Sequence, residues 1–148
     1  MRLQAILRDR PHLPRAPIER TRRLMEESID DAMVSGFEPL INTLTLPDAD
    51  DRHVLAAAIH CGARVIVTAN LRDFPNATLA LHDIEARHPD AFILGLLTAF
   101  PDEVLGTMRR LRHGLNKPPM TATELLVVMG RQGLPESADA LGRFVGAL

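Results

Sequence analysis

Three aspartates, Asp48, Asp50 and Asp51, stand immediately before an apolar run, and Asn70 and Asp73 follow a short β-branched run further on. Carboxylates at a helix start cap free amides and complement the helix dipole, a gain of about 0.3–1 kcal/mol each. Capping accounts for Asp48. Asp51 differs, because Asp51, Val54, Leu55 and Ala58 fall at i, i+3, i+4 and i+7, which sets its carboxylate on the stripe of the core-facing side chains. A carboxylate turned inward needs a partner or a cation. An oxygen-only ligand set, with no thiolate and no histidine pair at helical spacing beside it, suits Mg²⁺ or Mn²⁺ better than zinc. His53, His60 and Cys61 share one helix, but neither histidine has an i+4 partner.

These residues need elements to position them. Asp48 is the expected N-cap of a helix whose period is carried by Val54, Leu55, Ala58 and Ile59 and which stops at Gly62. Ala63 to Thr68 is a β-branched run of the kind found in buried parallel strands. A helix leading directly into a strand runs roughly antiparallel to it, so Asp51 is expected near the strand's carboxyl end. Open α/β sheets bind ligands at that edge. Thr68, Asn70 and Asp73 are thus expected to converge with Asp51, the alternative being that Asn70 and Asp73 only cap their loop. A helix near residues 76–82 and a strand from Ile84 to Ala86 complete a βαβ unit with right-handed crossover.

Upstream, Pro17 is placed to open a helix running to about Met33, with Ile18, Met25, Ile29 and Ala32 inward. Residues 37–47 read equally as a short helix or as an extended buried segment. Beyond Pro89 the chain reads as helix throughout. Pro89 and Asp90 open a first helix with Phe92, Ile93, Leu96 and Leu97 inward; Pro101, Asp102 and Glu103 open a second with Val104, Leu105, Met108 and Leu111 inward. Thr121 and Glu124 form a capping box for a third, and a last helix follows Gly133 and Pro135.

Composition bounds these readings. The 148 residues, 46% hydrophobic and 24% charged, suit one globular domain, and the lone Cys61 cannot form an internal bridge, which points to a reducing, cytoplasmic setting. The longest apolar stretches, Val54 to Ile59 and Ala91 to Leu97, fall far short of the roughly 18 residues of a membrane span. Residues 1–24 hold seven arginines, residues 25–51 hold eight acids and no Lys or Arg, and a third block carries Arg109, Arg110, Arg112 and Lys117. Basic segments flanking an acidic one suit a metal site with phosphate contacts on either side, or simply solvated helix faces. There is no Gly-rich phosphate loop and no Gly-x-Ser-x-Gly elbow, and without Trp or Tyr the chain is poorly supplied with stacking platforms.

The stretch Leu46-Pro47-Asp48-Ala49-Asp50-Asp51-Arg52-His53-Val54-Leu55-Ala56-Ala57-Ala58-Ile59, continued by Val65-Ile66-Val67-Thr68-Ala69-Asn70-Leu71-Arg72-Asp73-Phe74-Pro75, resembles the PIN-domain ribonucleases. Within that family it is most similar to the VapC-like toxins of bacterial toxin–antitoxin pairs. The resemblance implies RNA cleavage with Mg²⁺ or Mn²⁺, catalytic roles for Asp51 and Asp73, and Asp51, Asn70 and Asp73 as metal ligands or holders of its water shell. Arg52 and Arg72 would hold the RNA backbone, the plainer alternative for each being a solvated arginine. The implied partners are RNA, a cognate antitoxin and a second copy of the chain in a homodimer.

The family's pattern also has a strand ending in an acid, and a helix-borne glutamate, for which this chain has no match; Met1 to Leu24 resembles the region after that strand. Glu26, Glu27, Asp30 and Asp31 either substitute for those acids or form a solvated face. The expected fold is therefore α/β, a PIN-like parallel sheet flanked by helices and N-terminally incomplete. Residues 1–98 form the core lacking its first strand, and residues 99–148 form a C-terminal helical appendage. Two functions follow: a metal-dependent endoribonuclease impaired by the missing strand, or an inactive remnant that binds an antitoxin or another copy of itself.

Overall fold

The computed structural model describes Arg20, Arg23 and residues 33–148. The helix expected from Pro17, and the acids Glu26, Glu27, Asp30 and Asp31, lie outside the described residues. The chain divides into two units, one holding residues 33–64 and Asp73–Ile84, the other Val65–Arg72 and Glu85–Leu148.

In the first unit, Pro39 sits in the opening turn of helix α1 (Glu38–Ile41), where its missing amide costs nothing. The chain then runs extended, with Leu44 and Leu46 buried, so residues 37–47 hold both a short helix and a buried extended segment. A 3₁₀ turn, Ala49–Asp51, leads into α2 (Arg52–His60), which buries Leu55, Ala56 and Ala58. Gly62 ends it with φ of 69°, a left-handed conformation that a side chain resists. There the Gly62 and Ala63 amides donate back to the carbonyls of Ile59 and Ala58, at 3.2 and 2.9 Å. Helix α3 (Asn76–Leu79) passes into a 3₁₀ turn, Ala80–His82, and Phe74, Leu79 and Ile84 are buried.

The second unit contains β1 (Val65–Val67) and β2 (Glu85–Arg87), paired in parallel with Ile66 opposite Ala86. Both expected strands are present, the first trimmed at each end and the second displaced by one residue. Four helices follow: α4 (Pro89–Ala99), α5 (Pro101–Gly114), α6 (Ala122–Arg131) and α7 (Pro135–Gly142). Proline opens three of them, and Thr121 with Glu124 caps α6 reciprocally. Leu97, Met108, Leu125, Met129, Leu141 and Leu148 form one apolar cluster. Leu96 and Leu111, expected inward, are instead 37% and 50% exposed. Their period is right, but periodicity gives the phase of a face and not how far along it another element packs. The described residues thus form a mostly helical α/β structure with a small parallel sheet and a helical C-terminal part.

Candidate metal centre

Asp48 begins the site. Its backbone is extended, and its Oδ1 accepts from the Asp50 amide at 2.8 Å, capping the 3₁₀ turn. The turn closes with the Asp51 amide donating to Asp48 O at 3.3 Å and the Arg52 amide donating to Ala49 O. Asp51 is the residue from which α2 starts, yet its side chain makes no capping hydrogen bond. Its carboxylate is therefore not spent on the helix amides, and it is half-buried. Asp73 closes a second 3₁₀ turn, Leu71–Asp73, and is followed directly by buried Phe74, which anchors that stretch of chain.

These two turns bring together three acids. One carboxylate oxygen each from Asp48, Asp51 and Asp73 lies within 4.8 Å of the others, with Asp51 and Asp73 half-buried and Asp48 exposed. The electrostatic consequence appears at Asp51: partial burial first, then the charges of Asp48 and Asp73, push its carboxyl above the ordinary carboxylate value, while His53 works in the opposite direction. Three hard oxygen donors at this spacing fit one Mg²⁺ or Mn²⁺ ion, whose charge would relieve the crowding that raises the Asp51 pKa. The donor set fits the ion that the resemblance implies.

The other expected residues are placed as follows. Asn70 is exposed in the second unit, and its amide donates to Thr68 Oγ1 at 3.1 Å, a turn built by the threonine side chain. Arg72 is exposed in the same unit. Arg52 is half-buried, and its Nε is buried without a hydrogen-bond partner. Asp48, which the sequence explained by capping, both caps the 3₁₀ turn and joins the cluster. His53 was set aside with the zinc reading, but its Nδ1 lies 2.5 Å from Asp50 O, at the centre of the aspartate turn. Its spacing three residues after Asp50 was the signal for that contact.

Residues 89–143 match the family model described as the VapC50 C-terminal domain. Over 101 residues the chain is 40% identical to a protein of Mycobacterium tuberculosis named "Putative ribonuclease VapC50". That alignment takes in 68% of this chain and 59% of the relative, so the chain spans about three fifths of the length of the relative it matches. No solved structure matches the chain. With its C-terminal helices matching that domain and its identity to that relative, the chain belongs to the VapC-like family of PIN-domain proteins.

Proposed function

We propose that the chain is a metal-dependent endoribonuclease of the VapC type, cleaving RNA phosphodiester bonds in the cytoplasm under the control of a cognate antitoxin. The convergence of the Asp48, Asp51 and Asp73 carboxylates within 4.8 Å carries this reading. The name of the relative, a ribonuclease, supports the substrate class. Among the described residues no helix is long and apolar enough to cross a membrane. The chemistry is assigned to residues 1–98, with 99–148 as a helical region and a homodimer as the assembly.

Asp48, Asp51 and Asp73, all of the first unit, would hold the ion. Bound there, Mg²⁺ or Mn²⁺ supplies activation of the attacking oxygen and stabilises the charge that builds on the phosphate. The chain's own residues do the rest. Asp51 and Asp73, half-buried, present their carboxylates together with that of Asp48. Arg52 and Arg72 are assigned to the RNA backbone, since a guanidinium fork matches phosphate oxygens.

The test is cleavage of a mixed RNA substrate by the purified chain with Mn²⁺, beside Asp51→Asn and an EDTA control. Cleavage lost in both controls is the expected result. A folded chain that leaves RNA intact would overturn the enzyme reading and favour a module that binds the antitoxin or a second copy.

A further inference from the structure

The aspartate turn places Asp48, Asp50 and Asp51 side by side and adds Asp73 from a second turn. Like charges so close push the turn open, and among the bonds that resist this are three local ones: the Asp50 amide to Asp48 Oδ1 at 2.8 Å, the Asp51 amide to Asp48 O at 3.3 Å and the Arg52 amide to Ala49 O. A side chain of the helix adds another. His53, in the first turn of α2 and half-buried, has its Nδ1 2.5 Å from the Asp50 carbonyl oxygen. A carbonyl only accepts, so Nδ1 carries the proton and donates, whatever the charge on the ring.

The Asp50 carbonyl and the Asp51 amide belong to one planar peptide unit. A donor that holds the carbonyl therefore also holds the plane from which Asp51 continues, and with the Asp51 φ set at -85° where the helix starts, the direction of the Asp51 Cα–Cβ bond follows from that plane. The Asp51 amide makes only a 3.3 Å bond of its own, so the carbonyl side is the better-fixed end of that peptide. We propose that His53 is a positioning residue: its Nδ1–H locks the Asp50–Asp51 peptide and so keeps the Asp51 carboxylate gathered with those of Asp48 and Asp73. The proposal rests on the metal reading given above and adds to it a residue that is itself no ligand. Outer groups that orient ligands govern metal affinity through such contacts.

Three variants test it: His53→Leu and His53→Phe remove the donor, the second keeping a ring, and His53→Asn keeps an N–H at about the same reach from the backbone. Two quantities are read, the affinity for Mn²⁺ from the spectroscopic signal of the free ion, and the exchange rate of the Asp51 amide in EDTA. Melting curves identify any variant that fails to fold, and the remaining donor-free variant then carries the comparison. Loss of the donor is expected to weaken Mn²⁺ binding about tenfold or more, with His53→Asn close to the unmodified chain. The Asp51 amide should exchange faster in the donor-free variants and normally in His53→Asn. Unchanged affinity in a folded donor-free variant, or equal weakening in His53→Asn, would overturn the proposal. If the unmodified chain itself binds no Mn²⁺, the metal reading fails, and the amide rates decide alone: faster exchange that asparagine restores supports the lock, and unchanged exchange refutes it.

Discussion

Asp48 uses one carboxylate for two purposes, since Oδ1 caps the 3₁₀ turn while the group also faces Asp51 and Asp73. The two roles separate by substitution. Asp48→Asn keeps an acceptor for the Asp50 amide and should hold stability while weakening Mn²⁺ binding; Asp48→Ala should weaken binding and also cost about 1 kcal/mol, the usual value of a lost cap. Denaturant melts and Mn²⁺ titrations of the pair check this. Asp51 behaves differently because its pKa is raised in the folded chain, by burial first and then by Asp48 and Asp73. The folded state then holds the proton more tightly than the unfolded one, so stability falls as pH rises from the ordinary carboxylate value through the raised one. In EDTA at neutral pH, Asp51→Asn should match or exceed the unmodified chain, by about 1 kcal/mol or less because water still screens the carboxylate. That difference should shrink as pH is lowered through the same window, and a variant markedly less stable at neutral pH would sink the account. The inward phase of Asp51 was legible from spacing alone, as was the cap at Asp48. The cluster was only half legible, because capping explained Asp48 completely at the level of local sequence.

Between elements, the main polar contact in the C-terminal part joins residues far apart in the chain. Asp90 opens α4, yet the cap of that helix is His88, whose Nδ1 accepts from the Asp90 amide at 3.2 Å. The buried Asp90 carboxylate instead accepts from the amides of Glu136 and Ser137, at 2.9 and 2.7 Å, and so caps α7; Ser137 Oγ donates to the Asp90 carbonyl at 3.0 Å. Burial alone would raise the Asp90 pKa, but the Ser137 hydroxyl and the Glu136 and Ser137 amides outweigh it and hold the carboxyl below its ordinary value. A depressed pKa gives stability that is present above the ordinary carboxylate value and is lost as pH falls through the lowered one. Asp90→Asn should therefore lower the melting temperature at neutral pH and flatten its decline in acid; an unaltered acid limb would count against the assignment. By contrast, Thr121→Ala removes a local cap and should cost about 1 kcal/mol in a denaturant melt at neutral pH; part of that cost should fade in acid, because the Thr121 amide and hydroxyl hold the Glu124 carboxyl below its ordinary value. Local signals of this second kind, prolines at helix starts, Thr121 with Glu124, and Gly62 at the end of α2, were readable from the sequence. Asp90 was read only as a helix-start acid, since a partner more than forty residues away leaves no periodic trace.

For the molecule as a whole, net charge was the least informative quantity, and the basic block in the C-terminal part shows why. Arg109 donates through Nε and Nη2 to Ala147 O, and Arg112 donates through Nε to Leu148 O, so two of its arginines hold the last turn of the chain. The acids are the informative charges, because all three of the cluster belong to one of the two units. An ion bound only by the folded chain stabilises by mass action, about 2.7 kcal/mol when its concentration is a hundredfold above the dissociation constant. For a chain of this size that corresponds to a rise in melting temperature of roughly 5–10 °C. Mn²⁺ should produce such a rise in the unmodified chain and little in Asp51→Asn, so the variant that matches or exceeds the apo chain falls behind once the ion is present. Amide exchange with and without Mn²⁺ should place the gain in protection on Asp48 to His60 and Asp73 to Leu79. An equal rise in Asp51→Asn, or protection centred on α4 to α7, would move the ion away from the three aspartates and take the proposed nuclease chemistry with it.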